Sequence, residues 1–442
     1  MNELLSPARS FEDFPPAEFI EFGEILGISL SSSTNGLTHG IHRYPAKYIP
    51  QIPRWAIREY SNKGDLVVDP FSGSGTTALE AIAQSRNGAG VDLDPLACLI
   101  AEAKVTPVSP GRLERLMQQL LVKALRHPGQ PILPLPDIKN FGHWFSQEAW
   151  SSLQSIRKAI AEIEASVDER RFMLTIFSSI LRTVSNADDQ SQKTYVSGTL
   201  KKTPPPVIPT FEKSFRKALT GVSELASLES RGLASIYNES ATDLPFEYKS
   251  VDLIVTSPPY LDSVDYMYNM MLEYFWLGTD LGINSRREFN ARRRSYIGAK
   301  NAPSQTLPDS VKDLVDENEV PTYRRDVLGP YFSSMESHFA EAARVLKDGG
   351  RYVLVIGNSR TKGEMLPLHD ALIALASTSG LLVEHAFGYR VRRHYMKFPR
   401  KGRGGIILMD WVITLRKGVK AVSSPTRLPM IDGQLHPDAV AY

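Results

Sequence analysis

The chain contains the stretch Asp252-Leu253-Ile254-Val255-Thr256-Ser257-Pro258-Pro259-Tyr260, which predicts a buried strand that runs into a rigid turn. Its short apolar run is typical of strands covered on both faces of a sheet. The two prolines fix the backbone and remove two N–H donors, so the carbonyls just before them are directed away from a strand ladder. Ligands of open α/β sheets bind at the carboxyl ends of the strands, and we therefore expect this turn to face a ligand.

The turn has the groups needed to hold a flat heterocycle with an exocyclic amine. The Ser257 hydroxyl and the Pro258 carbonyl can each accept one amine hydrogen, while Tyr260 stacks on the ring. Ser-Pro-Pro-Tyr resembles the catalytic motif of the S-adenosylmethionine-dependent amino-methyltransferases that act on DNA. The resemblance implies that Ser257, Pro258, Pro259 and Tyr260 are catalytic, and the initial Ser is most similar to the cytosine-N4 branch. The alternative is a strand that simply ends at prolines, with a tyrosine in the turn.

A glycine loop, Asp69-Pro70-Phe71-Ser72-Gly73-Ser74-Gly75-Thr76, follows another apolar strand and opens a helix. Its glycines let a ligand approach the main chain, and the N–H groups at the helix start can bind a carboxylate. The Gly-Lys-Ser/Thr ending of a nucleoside triphosphate loop is absent, whereas a nicotinamide dinucleotide stays possible on the glycines alone. The Asp-Pro-Phe start resembles the methyltransferase loop. This resemblance implies that Asp69, Phe71, Gly73 and Gly75 hold the methionine end of S-adenosylmethionine, with Asp69 orienting its amino group.

Two acids follow the next short strand, in Gly90-Val91-Asp92-Leu93-Asp94-Pro95. Asp92 lies at about the spacing expected of a carboxylate that binds the two hydroxyls of a ribose. Asp94 is either a second candidate for that contact or the N-cap of the helix that begins at Pro95.

The segment His42-Arg43-Tyr44-Pro45-Ala46-Lys47 is similar to a segment that wraps the methionine end of the cofactor in this family. The resemblance makes His42 and Tyr44 cofactor-binding candidates, and the alternative is a proline-rich turn before a helix. Relatives often carry an Asp that binds the cofactor adenine, whereas this chain has Asn238-Glu239-Ser240 at that place. Asp262 and Tyr266 follow the catalytic turn closely enough to line its pocket.

The densest basic cluster of the chain is Tyr389–Arg403, and aromatic residues alternate with its charges. A hairpin between the last two predicted strands would place it beside the catalytic turn, where it can hold phosphates and stack on bases. A solvated charged hairpin is the competing interpretation. The DNA-binding candidates are Arg390, Arg392, Arg393, Lys397, Arg400 and Lys401.

Composition sets broad limits on the class of protein. The 442 residues carry a formal net charge of +2 and are 42% hydrophobic, which is typical of a soluble globular chain rather than a membrane protein. The single cysteine, Cys98, excludes an internal disulfide and fits a cytoplasmic location. Methylation at cytosine C5 requires a nucleophilic cysteine, and Cys98 lies in a predicted helix where we expect an inert thiol. No metal site is predicted.

The predicted fold is α/β, a class I methyltransferase (Rossmann-like) sheet of seven mostly parallel strands with an antiparallel last strand, plus a largely helical insertion. Phe19, Phe22, Ile25 and Leu26 predict an amphipathic helix near the N-terminus. The expected regions are an N-terminal extension (1–37), a cofactor-binding half (38–106), a helical insertion that is a candidate DNA reader (107–235), a catalytic half (236–417) with a loop insertion (280–325) and a basic hairpin (389–405), and a tail (418–442).

These features together predict a DNA methyltransferase that flips a cytosine out of the helix and methylates its N4 amine. S-adenosylmethionine is the expected cofactor, DNA the expected partner, and a cognate restriction endonuclease a possible one. Three alternatives stay open: an adenine-N6 methyltransferase, a non-catalytic DNA-binding module that keeps the cofactor fold, and a nicotinamide-dependent oxidoreductase.

Overall fold

A computed structural model describes most of the chain. The described residues are 9–11, 13–28, 36–45, 48–126, 140–189, 193–199, 201–261, 265–299, 305–315, 322–357, 359–361, 364–390 and 409–418. The strands are β1 (Arg9–Phe11), β2 (Ile25–Ile28), β3 (Leu66–Asp69), β4 (Asn87–Val91), β5 (Ala234–Tyr237), β6 (Val251–Thr256), β7 (Leu346–Gly357), β8 (Ser359–Thr361), β9 (Glu364–Leu366), β10 (Leu381–Arg390) and β11 (Met409–Lys417).

The described helices surround these strands. They are α1 (Gln51–Tyr60), α2 (Thr76–Ala83), α3 (Pro95–Val105), α4 (Pro110–Arg126), α5 (Phe141–Trp144), α6 (Gln147–Glu162), α7 (Val167–Leu181), α8 (Val207–Ala226), α9 (Tyr266–Asn269), α10 (Met271–Leu277), α11 (Arg286–Arg294), α12 (Asp309–Lys312), α13 (Thr322–Val345) and α14 (Leu368–Thr378). In the part of the chain that the structure covers, none of them is long and apolar enough to cross a membrane.

Nine strands form one sheet in the order β1-β2-β10-β11-β7-β6-β3-β4-β5, while β8 and β9 make a separate hairpin. The only antiparallel strand among the described nine is β11, which pairs in that sense with both β10 and β7. From β3 the chain builds outward to β4 and β5, then returns to place β6 on the other side of β3. This reversal opens a crevice at the carboxyl ends of β3 and β6. The predicted mostly parallel sheet with an antiparallel last strand is confirmed, with two further strands at one edge.

The apolar run of β6 is buried on both faces of the sheet, as the sequence predicts. Leu253 and Val255 pack with α1 on one side, whereas Ile254 packs on the other side with α13 and α14. All three side chains are fully buried. The strand is therefore held rigidly up to its last residue, Thr256, and the predicted catalytic turn, Ser257–Tyr260, follows it.

The prediction of an amphipathic helix near the N-terminus is wrong, because its last two residues lie in a strand. Phe19 and Phe22 are 59% and 38% exposed, and Gly23 has a φ of +79° that ends any helical course. Leu26 instead lies in β2, which pairs with β10 in parallel. The physical reason is that the open edge of the sheet offers backbone hydrogen bonds and an apolar face that an isolated short helix lacks.

The described residues between α3 and β5 are largely helical, as the sequence predicts for this region, and α6 and α7 lie at its centre. Their apolar faces pack with α3, α4, α8 and α10 in one continuous cluster. The predicted loop insertion at 280–325 needs a correction, because it contains α11 and α12. Ser285 caps α11 and Phe289 is buried against the helical cluster, which explains why this polar segment becomes ordered.

Candidate active site

The Asp69 carboxylate joins the two loops that the sequence singled out. One oxygen accepts hydrogen bonds from the Thr256 hydroxyl at 2.6 Å and the Phe71 amide at 3.1 Å. The other accepts from the Thr77 hydroxyl at 2.6 Å and the Tyr48 hydroxyl at 3.2 Å. Burial raises the pKa of Asp69, while these donors lower it. Asp69 thus ties β3 to β6 and α2, and its predicted contact with the cofactor amino group stays a prediction.

The glycine loop has the backbone that the motif implies. Gly73 and Gly75 have φ values of +47° and +76°, a region that favours glycine. A Cβ on Gly75 would lie 2.8 Å from the Ala101 Cβ, so α3 packs directly against this turn. Gly75 is also the N-cap of α2, whose first-turn N–H groups have no intrahelical acceptor. The Phe71 ring packs edge-on against the His338 ring, with 4.7 Å between the two ring centroids.

Asp92 and Asp94 have different surroundings. The Asp92 carboxylate accepts from the Gly73 and Asp94 amides, each at 2.8 Å, and its side chain is partly exposed. Burial, together with the charge of Asp94, raises the pKa of Asp92 to about 7. Asp94 is fully buried and caps α3 through the Leu96 and Ala97 amides. The N-cap interpretation of Asp94 is therefore confirmed, and Asp92 is the carboxylate of the pair that a ribose can reach.

Aromatic side chains line the same rim. The Tyr44 hydroxyl donates to Asp94 at 3.0 Å, and the Tyr44 ring lies 3.3 Å from where a Gly73 Cβ would be. Tyr44 stacks on Tyr266 with a centroid distance of 6.2 Å and an interplanar angle of 12°. Tyr266 follows the catalytic turn, so these rings connect the glycine loop to that turn. His42 is buried two residues before Tyr44, and Asp262 lies outside the described residues.

Asn238, which replaces the acid that relatives often carry, links the rim to α11. Its amide nitrogen donates to the Asp92 carbonyl at 2.9 Å, and its amide oxygen accepts from Arg292 at 2.9 Å. The neighbouring Arg293 pairs with Asp265, the N-cap of α9. Nothing in the sequence signals these contacts, because they join segments that are far apart along the chain.

The catalytic turn is held by tyrosines from two sides. The Tyr331 hydroxyl of α13 donates to the Pro259 carbonyl at 3.0 Å. The Tyr260 hydroxyl donates to the Asp410 carboxylate at 3.3 Å. Burial and the nearby charge of Asp410 raise the pKa of Tyr260 well above its usual value.

Asp410 is a site residue that the sequence analysis missed. Its second oxygen accepts from the Tyr389 hydroxyl at 2.9 Å. Because β11 runs antiparallel to its neighbours, its first residues lie at the carboxyl edge of the other strands, next to the turn. Burial raises the pKa of Asp410, while Tyr389 and Tyr260 lower it. Asp410 lies in the last predicted strand, where nothing in the sequence marked it as functional.

Several other predicted groups have a defined place. Cys98 lies on α3 with a thiol pKa raised well above its usual value, mainly by burial, which is typical of an inert thiol. Arg390 is the last residue of β10, whereas Arg392, Arg393, Lys397, Arg400 and Lys401 lie outside the described residues. Among the residues with described positions, no group of three or more His, Cys, Asp or Glu side chains could hold a metal ion.

The arrangement fits an adenosyl ligand with an amino-acid end. Asp92 is partly exposed, its pKa is raised by burial, and each of its oxygens keeps lone pairs for a ribose hydroxyl. The glycine loop provides main-chain donors at a positive helix end for a carboxylate. The Tyr44 and Tyr266 rings line the space between that loop and the catalytic turn.

Known proteins match this chain both locally and along most of its length. Residues 18–103 match the DNA methylase family. The chain is similar to the Type II methyltransferase M.MvaI of Kocuria varians, with 29% identity over 84% of this chain and 86% of that protein. It is also similar to the Type II methyltransferase M.BsoBI of Geobacillus stearothermophilus, with 23% identity over 90% of this chain and 88% of that protein. A shorter match, 39% identical over 19% of this chain and 16% of the relative, is to the Type II methyltransferase M.MjaII of Methanocaldococcus jannaschii.

Proposed function

We propose that this chain, whose residues 18–103 match the DNA methylase family, is a DNA amino-methyltransferase that methylates the exocyclic N4 amine of cytosine. The observation that carries the proposal is Ser257 at the carboxyl end of β6, joined through Thr256 and Asp69 to the glycine loop. A serine at this position provides one acceptor for an amine hydrogen without adding a charge. The specificity for cytosine N4 is what the experiment below tests.

The methyl donor is S-adenosylmethionine, which supplies an electrophilic methyl group on its sulfonium when bound. Within this chain, the glycine loop leads into the positive start of α2, where the carboxylate would bind, and Asp92 can accept the hydrogens of two ribose hydroxyls. Tyr44 covers Gly73 and packs on Tyr266, which keeps water from this part of the rim. Phe71 adds an apolar side chain beside the loop.

The catalytic turn has to make a poor nucleophile react. The lone pair of an aromatic amine is delocalised into the ring, and two acceptors on its hydrogens favour a pyramidal nitrogen. The Ser257 oxygen and the Pro258 carbonyl are those acceptors, since the Pro259 carbonyl already accepts from Tyr331. Holding the amine in line with the methyl group removes much of the entropic part of the barrier. No covalent bond between base and enzyme is required, which agrees with the inert Cys98.

A base inside a duplex must leave the stack before it reaches this turn. Flipping costs on the order of a few kcal/mol, and stacking of the base on Tyr260 would offset part of that. The basic stretch Tyr389–Arg403 starts at the end of β10, and Asp410 at the start of β11 bonds directly to Tyr260. DNA phosphates are therefore expected to bind beside the flipped base.

Nucleoside analysis tests the product. The protein is incubated with unmethylated DNA and the methyl donor, and the digested nucleosides are separated by mass spectrometry. We expect N4-methylcytosine. N6-methyladenine would move the protein to the adenine branch, which is the alternative within the same chemistry. If calorimetry detects binding of S-adenosylmethionine but no methylated base forms on any DNA, the result supports a non-catalytic DNA-binding protein instead.

The cellular context of this activity is also a proposal. The relatives above are named Type II methyltransferases, and we propose that this chain protects DNA against a cognate restriction endonuclease in the cytoplasm. Sequencing that reports modified bases on a plasmid exposed to the protein would give the recognition sequence. A single methylated motif is the expected result, because protection requires specificity.

A further inference from the structure

A lysine is buried beside the glycine loop. Lys104 lies in the last turn of α3 with none of its surface exposed, and its ammonium group donates a hydrogen bond to the Ser74 hydroxyl at 2.9 Å. Ser74 is itself buried and stands between Gly73 and Gly75, the two loop glycines with positive φ. Among the hydrogen bonds of the described residues, this is the only one that brings a basic side chain to residues 69–76.

The packing of α3 on the loop fixes this contact. The Ala101 Cβ lies 2.8 Å from where a Gly75 Cβ would be, and Lys104 follows three residues later on the same face of the helix. The Thr38 hydroxyl donates to the Lys104 carbonyl at 2.8 Å, which holds the end of α3 in place. The fold itself therefore directs the ammonium group to Ser74.

A role in helix stability alone does not require this burial. A basic side chain in the last turn of a helix complements the helix dipole, and an exposed lysine does so while its ammonium group stays in water. A buried ammonium group instead lies in a medium of low dielectric constant, where it attracts a negative charge far more strongly. The position of Lys104 is therefore suited to an anion that binds at the loop.

The loop already has negative charges of its own. The Asp92 carboxylate accepts from the Gly73 amide at 2.8 Å, and the Asp69 carboxylate accepts from the Phe71 amide at 3.1 Å. A ligand carboxylate at the start of α2 would be repelled by both of them, and the helix dipole offers only about half a positive charge in compensation. A full positive charge at Ser74 offsets that repulsion.

The hydrogen bond from Lys104 also orients the Ser74 hydroxyl. An ammonium group can only donate, so the Ser74 oxygen accepts and its own hydrogen stays available for a second acceptor. The first-turn N–H groups of α2 have no intrahelical acceptor either. A carboxylate at this place would receive O–H and N–H hydrogen bonds, with the positive charge of Lys104 one hydrogen bond away.

We propose that Lys104 is the positioning residue that makes the methyl-donor site selective for a ligand with a carboxylate, and that it acts through Ser74. The inference rests on the proposed function, because it concerns the S-adenosylmethionine site of that reaction. Lys104 makes and breaks no covalent bond; its charge holds the amino-acid end of the ligand at the loop. The site should therefore distinguish S-adenosylmethionine from its decarboxylated derivative.

Calorimetry on the full-length protein without DNA tests this selectivity. The two probes are S-adenosylmethionine and decarboxylated S-adenosylmethionine, which differ only in the carboxylate. We expect the wild type to bind S-adenosylmethionine at least about tenfold more tightly, as for other hydrogen bonds to a charged group. Equal affinities for the two probes would overturn the proposal without any variant.

Lys104→Met removes the charge and keeps most of the volume of the side chain. We expect S-adenosylmethionine to bind at least about tenfold more weakly, while the affinity for the decarboxylated probe stays within about twofold. A purely structural role would weaken both probes equally, and that result would overturn the proposal.

Ser74→Ala tests the same inference even if Lys104→Met does not fold. It removes the hydroxyl between the ammonium group and the ligand, so the preference for the carboxylate should fall at least about threefold. An unchanged preference in Ser74→Ala would overturn the proposal.

Lys417→Met is the matched control. The Lys417 ammonium group donates to the Leu346 carbonyl at 2.6 Å, and this residue ends β11 at the opposite edge of the sheet. Both affinities should stay within about twofold of wild type, and a loss of preference equal to that in Lys104→Met would overturn the proposal. Because no DNA is present, a protein that shows the preference but forms no N4-methylcytosine would overturn the proposed function and leave this inference standing.

Discussion

The Thr256 hydroxyl donates a 2.6 Å hydrogen bond to the Asp69 carboxylate, and this bond joins the two loops of the candidate active site. Thr256 ends β6 and Asp69 ends β3, two adjacent parallel strands. The same carboxylate accepts from Thr77 in the first turn of α2. The glycine loop and the catalytic turn are therefore fixed to one buried charge, which explains how the two loops keep their spacing.

Loss of the Thr256 hydroxyl should destabilise the protein. Thr256→Val keeps the shape of the side chain but removes one donor from a fully buried carboxylate. We expect the free energy of unfolding to fall by about 1–3 kcal/mol, as for other buried groups that lose a partner. Urea denaturation measures the change. Thr220→Val is the matched control, because this exposed hydroxyl on α8 makes only a 3.4 Å bond to a backbone carbonyl; a change there beyond about 0.5 kcal/mol would question the method.

A side chain at Gly75 should disrupt the cofactor loop. In Gly75→Ala the backbone would keep a φ of +76°, and the new Cβ would lie 2.8 Å from the Ala101 Cβ. Strain of about 1–3 kcal/mol should lower thermal stability and weaken binding of S-adenosylmethionine at least tenfold. Gly111→Ala is the control, since nothing lies within 4 Å of a Cβ there. Wild-type affinity in Gly75→Ala would show that the loop does not contact the cofactor.

Ser257→Ala should separate binding from chemistry. The alanine cannot accept an amine hydrogen, yet Ser257 lies outside the loop that holds the cofactor. We expect affinity for S-adenosylmethionine in calorimetry to stay nearly intact, while methyl transfer falls about tenfold or more. Transfer is measured with a labelled methyl group at saturating DNA. Undiminished transfer would remove Ser257 from the mechanism.

The stability of the protein should depend on pH through Asp92. Its pKa is raised in the folded protein to about 7 from an ordinary value of 3.8, so the folded state binds the proton more tightly than the unfolded chain. The stability that this group contributes is present below about pH 4 and is lost as the pH rises towards 7. Asp92→Asn should therefore be more stable than wild type at pH 8, by roughly 1–2 kcal/mol, because the partly exposed side chain is screened by solvent.

The same comparison includes its own control. Glu273 also has a pKa raised to about 7 by burial, and it is present in both proteins, so the difference between their pH profiles isolates Asp92. Chemical denaturation at pH 5 and pH 8 measures that difference, which should shrink at the lower pH. Asp92→Asn should also bind S-adenosylmethionine at least tenfold more weakly. A stability difference that is independent of pH would contradict the raised pKa.

The basic stretch should set the salt dependence of DNA binding. Replacing both Arg392 and Arg393 with Ala removes two charges that are predicted to meet phosphates. We expect weaker binding and a decrease of about 1–2 in the slope of log K against log salt concentration. Lys63 and Arg231 are exposed just before β3 and β5, at the opposite edge of the sheet, so their double replacement by Ala is a charge-matched control. Equal slopes for the two double variants would show that the stretch does not touch DNA.

The sequence by itself determined the sheet class, the glycine loop and the catalytic turn. Apolar runs such as Leu253–Val255, and the glycines and prolines that follow them, act through local backbone preferences, which are readable without knowledge of the fold. The order of these motifs then placed both loops at the carboxyl edge of one sheet. The basic stretch is also visible as a local cluster, although most of it lies outside the described residues.

The tertiary structure decided which side chains complete the site. Asp410 meets Tyr260 across 150 positions, because β11, the one antiparallel strand among the nine described in the main sheet, starts at the edge where the parallel strands end. Asp69 became a link between the two loops only once its donors, from several segments, were in place. The N-terminal extension became β2 because a sheet edge was there to pair with it. Contacts between distant segments have no periodicity along the chain, so only the folded structure could assign them.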